Sequence, residues 1–317
     1  MELRNRYYPL NNNPFVYYGL SISEPLVLKR YSKREHYIPE FIERLKFIPQ
    51  VIPLDINQPK RRRFDHVINI IRIVDQINKI GVFDNNSIKM NNVKRGVLYH
   101  DLGHPSYGHA GERALNSLLQ ASNLNFSNST QSIRILKNKS LSMNAKAGIF
   151  ITQPITQAFF DESAKDFTYR VVDFLDDLEN CLGDLIDLWR VFKSKTIYDL
   201  FREAFNYRLD DIKDFDKIQS VVVADIFKSY DKKYFIEQLV GEEMDFHKIL
   251  KDIRKEIKCY IKKQEVIVAY DKESELKTKM IFDVICEDLQ LNRTNPKQLR
   301  LAADIVSSTI IMDSING

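Results

Sequence analysis

Apolar residues recur at helical spacing along most of the chain. In "FDHVINIIRIVDQINKI" (64–80), Val67, Ile70, Ile71, Val74 and Ile77 fall on one stripe. "KRGVLYHDLG" (94–103) reads as a second helix, stopped by Gly103 and Pro105. "HAGERALNSLLQ" (109–120) starts a third, and "FTYRVVDFLDDLENCLGDLIDLW" (167–189) is long and amphipathic. "FHKILKDIRKEIKCYIKKQEVIVAY" (246–270) predicts one continuous basic helix whose charges form a solvated face. "PKQLRLAADIVSSTIIMDSI" (296–315) closes the chain with another helix. Residues 1–35 are aromatic, Asn-rich and aperiodic, and read as an N-terminal arm. From 36 to 317 there is no internal repeat and no separating linker. The pattern predicts an all-α protein: an arm, then a single helical domain with a core at about 60–190 and a C-terminal helical part over 190–317.

Composition fits that picture. The 317 residues carry ten Gly and ten Pro, few breakers for so long a chain, and 44% hydrophobic residues, enough for a sizeable core. A net charge of +4 suits anionic ligands without demanding nucleic acid. Cys181, Cys259 and Cys286 lie far apart with no CxxC spacing, which points to a reducing compartment. No apolar run reaches the roughly 18 residues of a membrane span. The N-terminus shows no signal-peptide core. A cytoplasmic protein with no membrane contact is expected.

Chemistry concentrates in "YHDLGHPSYGHAGERAL" (99–115), which holds His100, His104 and His109, three of the six histidines in the chain. His100 and Asp101 are adjacent at a helix end, so an ion held by both must sit beside the helix and take further ligands from elsewhere. His66, on a helix packed by Val67, Ile70 and Val74, is one candidate. On the long helix Asp176, Asn180 and Asp184 share a face, and spacing leaves Asp173, Asp176 and Asp177 as rival ligands. Two imidazoles with two carboxylates suit Mg²⁺ or a divalent first-row ion such as Mn²⁺. His109 and Glu112 are three apart where a helix begins, a spacing at which a carboxylate orients an imidazole for proton transfer.

These segments resemble the HD-domain deoxynucleoside triphosphate triphosphohydrolases of the deoxyguanosine triphosphatase type. "HDLGHPSYGHAGERALN" is similar to HDIGHPPFGHAGExALN, and "FSNSTQSIRIL" (126–136) to FEGNAQSLRIL. "RRRFDHV" (61–67) resembles RTRLTHS, "VVDFLDDLENCLGD" resembles VVDLADDIAYSTHD, "FIERLKFIPQV" (41–51) resembles FRRLKxKTQV, and "RLAADIVSS" (300–308) resembles RVVxDYIAG. The resemblance implies an HD-domain helical bundle with additional C-terminal helices. It implies His66, His100, Asp101 and Asp176 as metal ligands and His109 with Glu112 as a catalytic dyad near the α-phosphorus. His104 would lie over the triphosphate, Arg63 would contact phosphate, and Gln50 and Asp184 would bind the sugar 3′-hydroxyl. The implied reaction releases nucleoside and inorganic triphosphate, serving dNTP balance or dNTP depletion during phage infection. Family members are commonly homo-oligomers, often hexamers, and some bind deoxynucleotide effectors or single-stranded DNA.

The chain departs from the family pattern around the nucleotide. Asn180 replaces a sugar-stacking Tyr, "TQP" (152–154) replaces a Lys-Tyr-Pro turn, Ser129 replaces an Asn, and "DIVSSTII" replaces DYIAGMTD. Two other readings follow: an HD phosphohydrolase of another nucleotide (a ribonucleotide, a monophosphate or a signalling nucleotide), or a non-catalytic nucleic-acid-binding or regulatory subunit.

Overall fold

The long amphipathic stretch of the sequence becomes the helix against which the rest is organised. The structure, a computed structural model, describes residues 42, 44–50, 61–81, 87–137, 167–206, 215–229, 235, 237–238 and 245–308. The arm at 1–35, the "TQP" segment and the chain beyond 308 lie outside the described residues. The described helices are α1 (Arg63–Lys79), α2 (Ser87–Tyr99), α3 (Gly108–Gln120), α4 (Asn128–Lys137), α5 (Phe167–Phe192), α6 (Lys195–Phe205), α7 (Phe215–Ser229), α8 (Asp245–Lys262), α9 (Glu265–Asp288) and α10 (Pro296–Ser308). There is no strand among the described residues, and the protein is all-α. No described helix is long and apolar enough to cross a membrane.

The apolar stripes meet in two clusters. The larger gathers α1, α2 and α5 through α8, with Phe174 of α5 fully buried in it. The smaller joins α3, α9 and α10 through Leu115, Leu119, Phe282, Leu299 and Val306. α9 packs on α3 and α10, whereas α8 packs on α5. That division explains a departure from the sequence reading. The predicted helix over 246–270 is two helices, interrupted where Gln264 turns to an extended backbone (φ −90°, ψ 101°). Ile281, Phe282 and Cys286 of α9 sit in the smaller cluster, whereas Ile257 of α8 and Ile267 of α9 are both buried in the larger. Ten residues apart on one helix, they would point about 80° away from each other. The break lets both face the larger cluster while the rest of α9 reaches the smaller.

Two local features build the site. A short antiparallel pairing ties Pro49 to Arg62, with the Gln50 N–H donating to the Arg61 carbonyl at 3.2 Å. It brings Gln50 beside the start of α1. α2 ends at Tyr99, four residues earlier than predicted, and His100–Gly103 form turns that lead into α3. Gly108 opens α3 at φ +55°, a conformation costly for other residues. A Cβ at Gly103 would run into the Asn128 carbonyl and the Ser132 amide. Gly103→Ala is therefore expected to cost about 1–3 kcal/mol of stability by forcing these backbones apart. Urea unfolding monitored by circular dichroism reads that loss.

Candidate active site

One cavity of about 720 Å³ opens between the two clusters. Gln50, Arg63, His100, Asp101, His104, His109, Glu112, Asp176, Asn180 and Asp184 all line it. His66 stands in the wall behind, 1% exposed. The structure thus brings all eleven sequence-predicted residues to one place.

The metal-capable group comes from three elements. His66, His100 and Asp101 each offer a donor atom, all within 4.8 Å of one another. Asp176 Oδ1 lies 2.9 Å from His66 Nε2 and 3.4 Å from His100 Nε2. The rival acids of α5 have other partners: Asp177 accepts from His247 at 2.9 Å and pairs with Arg254, while Asp173 lines the cavity 3.5 Å from Lys251, and the two acids with His247 form a separate metal-capable group. His100 donates Nδ1–H to the Val97 carbonyl at 2.7 Å, which turns its Nε2 toward Asp101 and Asp176; against burial, their charges raise the His100 pKa. That nitrogen is buried and makes no hydrogen bond. An orphaned imidazole nitrogen among carboxylates fits a divalent cation.

The charges are tightly interlocked. Burial works against an ionised His66, but the carboxylates of Glu179 and Asp176 prevail and hold it up at about 10. Burial likewise opposes an ionised Asp101, yet His100, Arg63 and His104 keep its carboxyl well below the usual range. Arg63 donates Nη1–H to Asp101 at 2.9 Å, while its Nε is buried without a hydrogen bond. His104 is pushed down to about 4 by burial and by the Arg63 charge, and is neutral at pH 7.

The His109–Glu112 pair expected from the sequence sits on α3. His109 is exposed, and its Nδ1 lies 2.9 Å from Glu112 Oε2. Glu112 is fixed in turn by the Asn128 N–H, which donates to Oε1 at 2.8 Å. Burial opposes its charge, but His109, His104 and that amide bring its carboxyl down to about 2. On the wall beside α5, Gln50 donates to Asn180 Oδ1 at 2.8 Å, and Asn180 donates to Asp176 Oδ1 at 2.8 Å.

Two groups escaped the sequence reading. Arg254, Lys258 and Lys262 of α8, each one turn apart, line the cavity instead of forming only a solvated face. Glu179, fully buried, presses on His66 Nδ1 and takes both carboxylate oxygens to Arg61. Its signal was present: Glu179 lies three residues beyond Asp176 on the same helix face.

Comparison with known proteins agrees in kind. Over 94 residues, 29% of the chain, it is 34% identical to a deoxyguanosinetriphosphate triphosphohydrolase-like protein of Rhodopseudomonas palustris strain BisB5. It is 29% identical over 125 residues to deoxyguanosinetriphosphate triphosphohydrolase-like protein 1 of Deinococcus radiodurans. The matched stretches span 22% and 34% of those relatives. No family model matches the chain.

Proposed function

We propose that the chain is a metal-dependent hydrolase that converts deoxynucleoside triphosphates to deoxynucleoside and inorganic triphosphate. The observation that carries this reading is the shared cavity: a metal-capable set on one wall and an oriented His–Glu pair on another, in a volume within the range of nucleotide-sized sites. The names of the partial relatives favour a related hydrolase role.

A divalent ion held by His66, His100, Asp101 and Asp176 would polarise a phosphoryl oxygen and offset charge building on it. The other steps belong to the side chains. Arg63 is already anchored by Asp101 and keeps Nε as a charge-assisted donor to a phosphate oxygen. Neutral His104, buried beside Arg63 and 5.2 Å from His109, adds a polar contact to the triphosphate. With Nδ1 of His109 engaged by Glu112, Nε2 is the atom that exchanges a proton with the leaving 5′-oxygen or the attacking water. Gln50 and Asp184 lie on the wall assigned to the sugar.

The deciding experiment incubates the protein with the four dNTPs and four NTPs and Mg²⁺, Mn²⁺ or Co²⁺, separating products by anion exchange. Inorganic triphosphate is the expected product; orthophosphate or pyrophosphate would point to the second reading, an HD phosphohydrolase of another nucleotide. That alternative is favoured by the polar Gln50–Asn180 contact where an aromatic would close the sugar pocket. Asn180→Tyr replaces that contact with a ring. It is expected to raise the deoxy-over-ribo ratio of kcat/KM several-fold, and an unchanged ratio would remove Asn180 from the sugar wall.

A further inference from the structure

The buried salt-bridge cluster behind the cavity is larger than the site it adjoins requires. Arg61 is almost fully buried and pairs with three carboxylates of α5 at once. Nη1 bonds both oxygens of Glu179 at 2.8 and 2.9 Å, Nε bonds Asp187 at 2.9 Å, and Nη2 bonds Asp184. Glu179 has further donors: His66 through Nδ1, and Asn69 through Nδ2 at 3.1 Å. Its two oxygens are thus surrounded by a guanidinium, an imidazole and an amide, with no solvent. Room for this depends on Gly183, because a Cβ there would overlap the Arg61 guanidinium. In the motif VVDLADDIAYSTHD, the positions of Glu179 and Gly183 are Ala and His.

We infer that Glu179, seated by Arg61, is a positioning residue that holds the Nδ1 proton of His66 and so presents Nε2 as a metal ligand. A carboxylate accepts but cannot donate, so His66 must carry its proton on Nδ1. Nε2 also faces carboxylates, Asp176 at 2.9 Å and Asp101 at 4.0 Å, and is protonated as well when no ion is present; an ion bound there would take the place of that Nε2 proton, while Glu179 keeps the one on Nδ1. Carboxylates behind metal-binding imidazoles fix tautomer and ring orientation and raise ligand basicity. Arg61 keeps Glu179 from turning away, and the same guanidinium holds Asp184 on the cavity wall. The inference rests on the metal-site reading above, but not on the nucleotide.

The test is Mn²⁺ binding to the purified full chain, with free Mn²⁺ read by electron paramagnetic resonance and no nucleotide present. His66→Ala is expected to lose the site. Glu179→Gln keeps the shape but removes the charge, and is expected to weaken Mn²⁺ about 10–100-fold. Gly183→Ala changes no charge yet drives Arg61 off Glu179, and is expected to weaken Mn²⁺ in the same direction. A folded Glu179→Gln protein with wild-type Mn²⁺ affinity, or a His66→Ala protein that still binds Mn²⁺ normally, overturns the inference. If Glu179→Gln does not fold, ring ¹⁵N shifts of His66 in the wild-type protein with Zn²⁺ decide: a proton on Nδ1 supports it and a bare Nδ1 overturns it. Mn²⁺ binding without triphosphate release would sink the proposed reaction and leave this inference standing.

Discussion

His109→Ala is expected to lower kcat about 10²–10⁴-fold while Mn²⁺ affinity stays at the wild-type value. The separation follows from where the residue stands. His109 lies on α3, hydrogen-bonds Glu112 and meets the His104 ring; the three could themselves hold an ion, but none of them belongs to the His66, His100, Asp101 and Asp176 set to which the proposed site assigns the metal. Its side chain is 55% exposed, so truncation removes little packing and stability should hold. Glu112→Gln is the companion: it keeps a partner for Nδ1 but withdraws the charge, and should cost less than the alanine. Single-turnover kinetics with the preferred triphosphate, beside Mn²⁺ titration, measures both. Parallel loss of turnover and Mn²⁺ binding would mean that His109 serves the ion instead.

The largest stability effect is expected at Phe174. Its ring is fully buried, with Phe235 and His247 at 5.6 and 5.4 Å and Phe227 and Phe246 each at 6.3 Å between centroids. These partners lie on or near α7 and α8, so one side chain joins three layers of the larger cluster. Phe174→Ala removes the ring and leaves a cavity that rigid helices fill poorly. A loss of about 3–5 kcal/mol is expected in denaturant unfolding. The effect should reach the site, because His247 packs on Phe174 and bonds Asp177, next to Asp176. Phe174→Leu, which keeps most of the volume, is expected to lose less.

The helices were legible because apolar residues repeat at 3.6-residue spacing wherever one face is buried. The histidine-rich turn was legible because it packs its chemistry into a few consecutive positions. What escaped shares one cause: it depends on residues far apart in sequence. Arg61 and Glu179 are 118 positions apart, and neither looks unusual alone. The break at Lys263–Gln264 carries no Gly or Pro, and arises because α8 and α9 serve different neighbours. Arg254 looked like one more charge on a basic face until Asp177 and Asp176 were placed opposite it.

The division into two apolar clusters has a consequence for how the protein fails. His66 and Asp176 ride on α1 and α5, anchored in the larger cluster, whereas His109 and Glu112 ride on α3, anchored in the smaller. Regions with fewer buried apolar contacts open at lower free energy than the molecule as a whole. Partial opening of the smaller cluster would therefore carry the His109–Glu112 pair away first and leave His66 and Asp176 in place; on the proposed reading the chain would become an inactive sink for metal ahead of global unfolding.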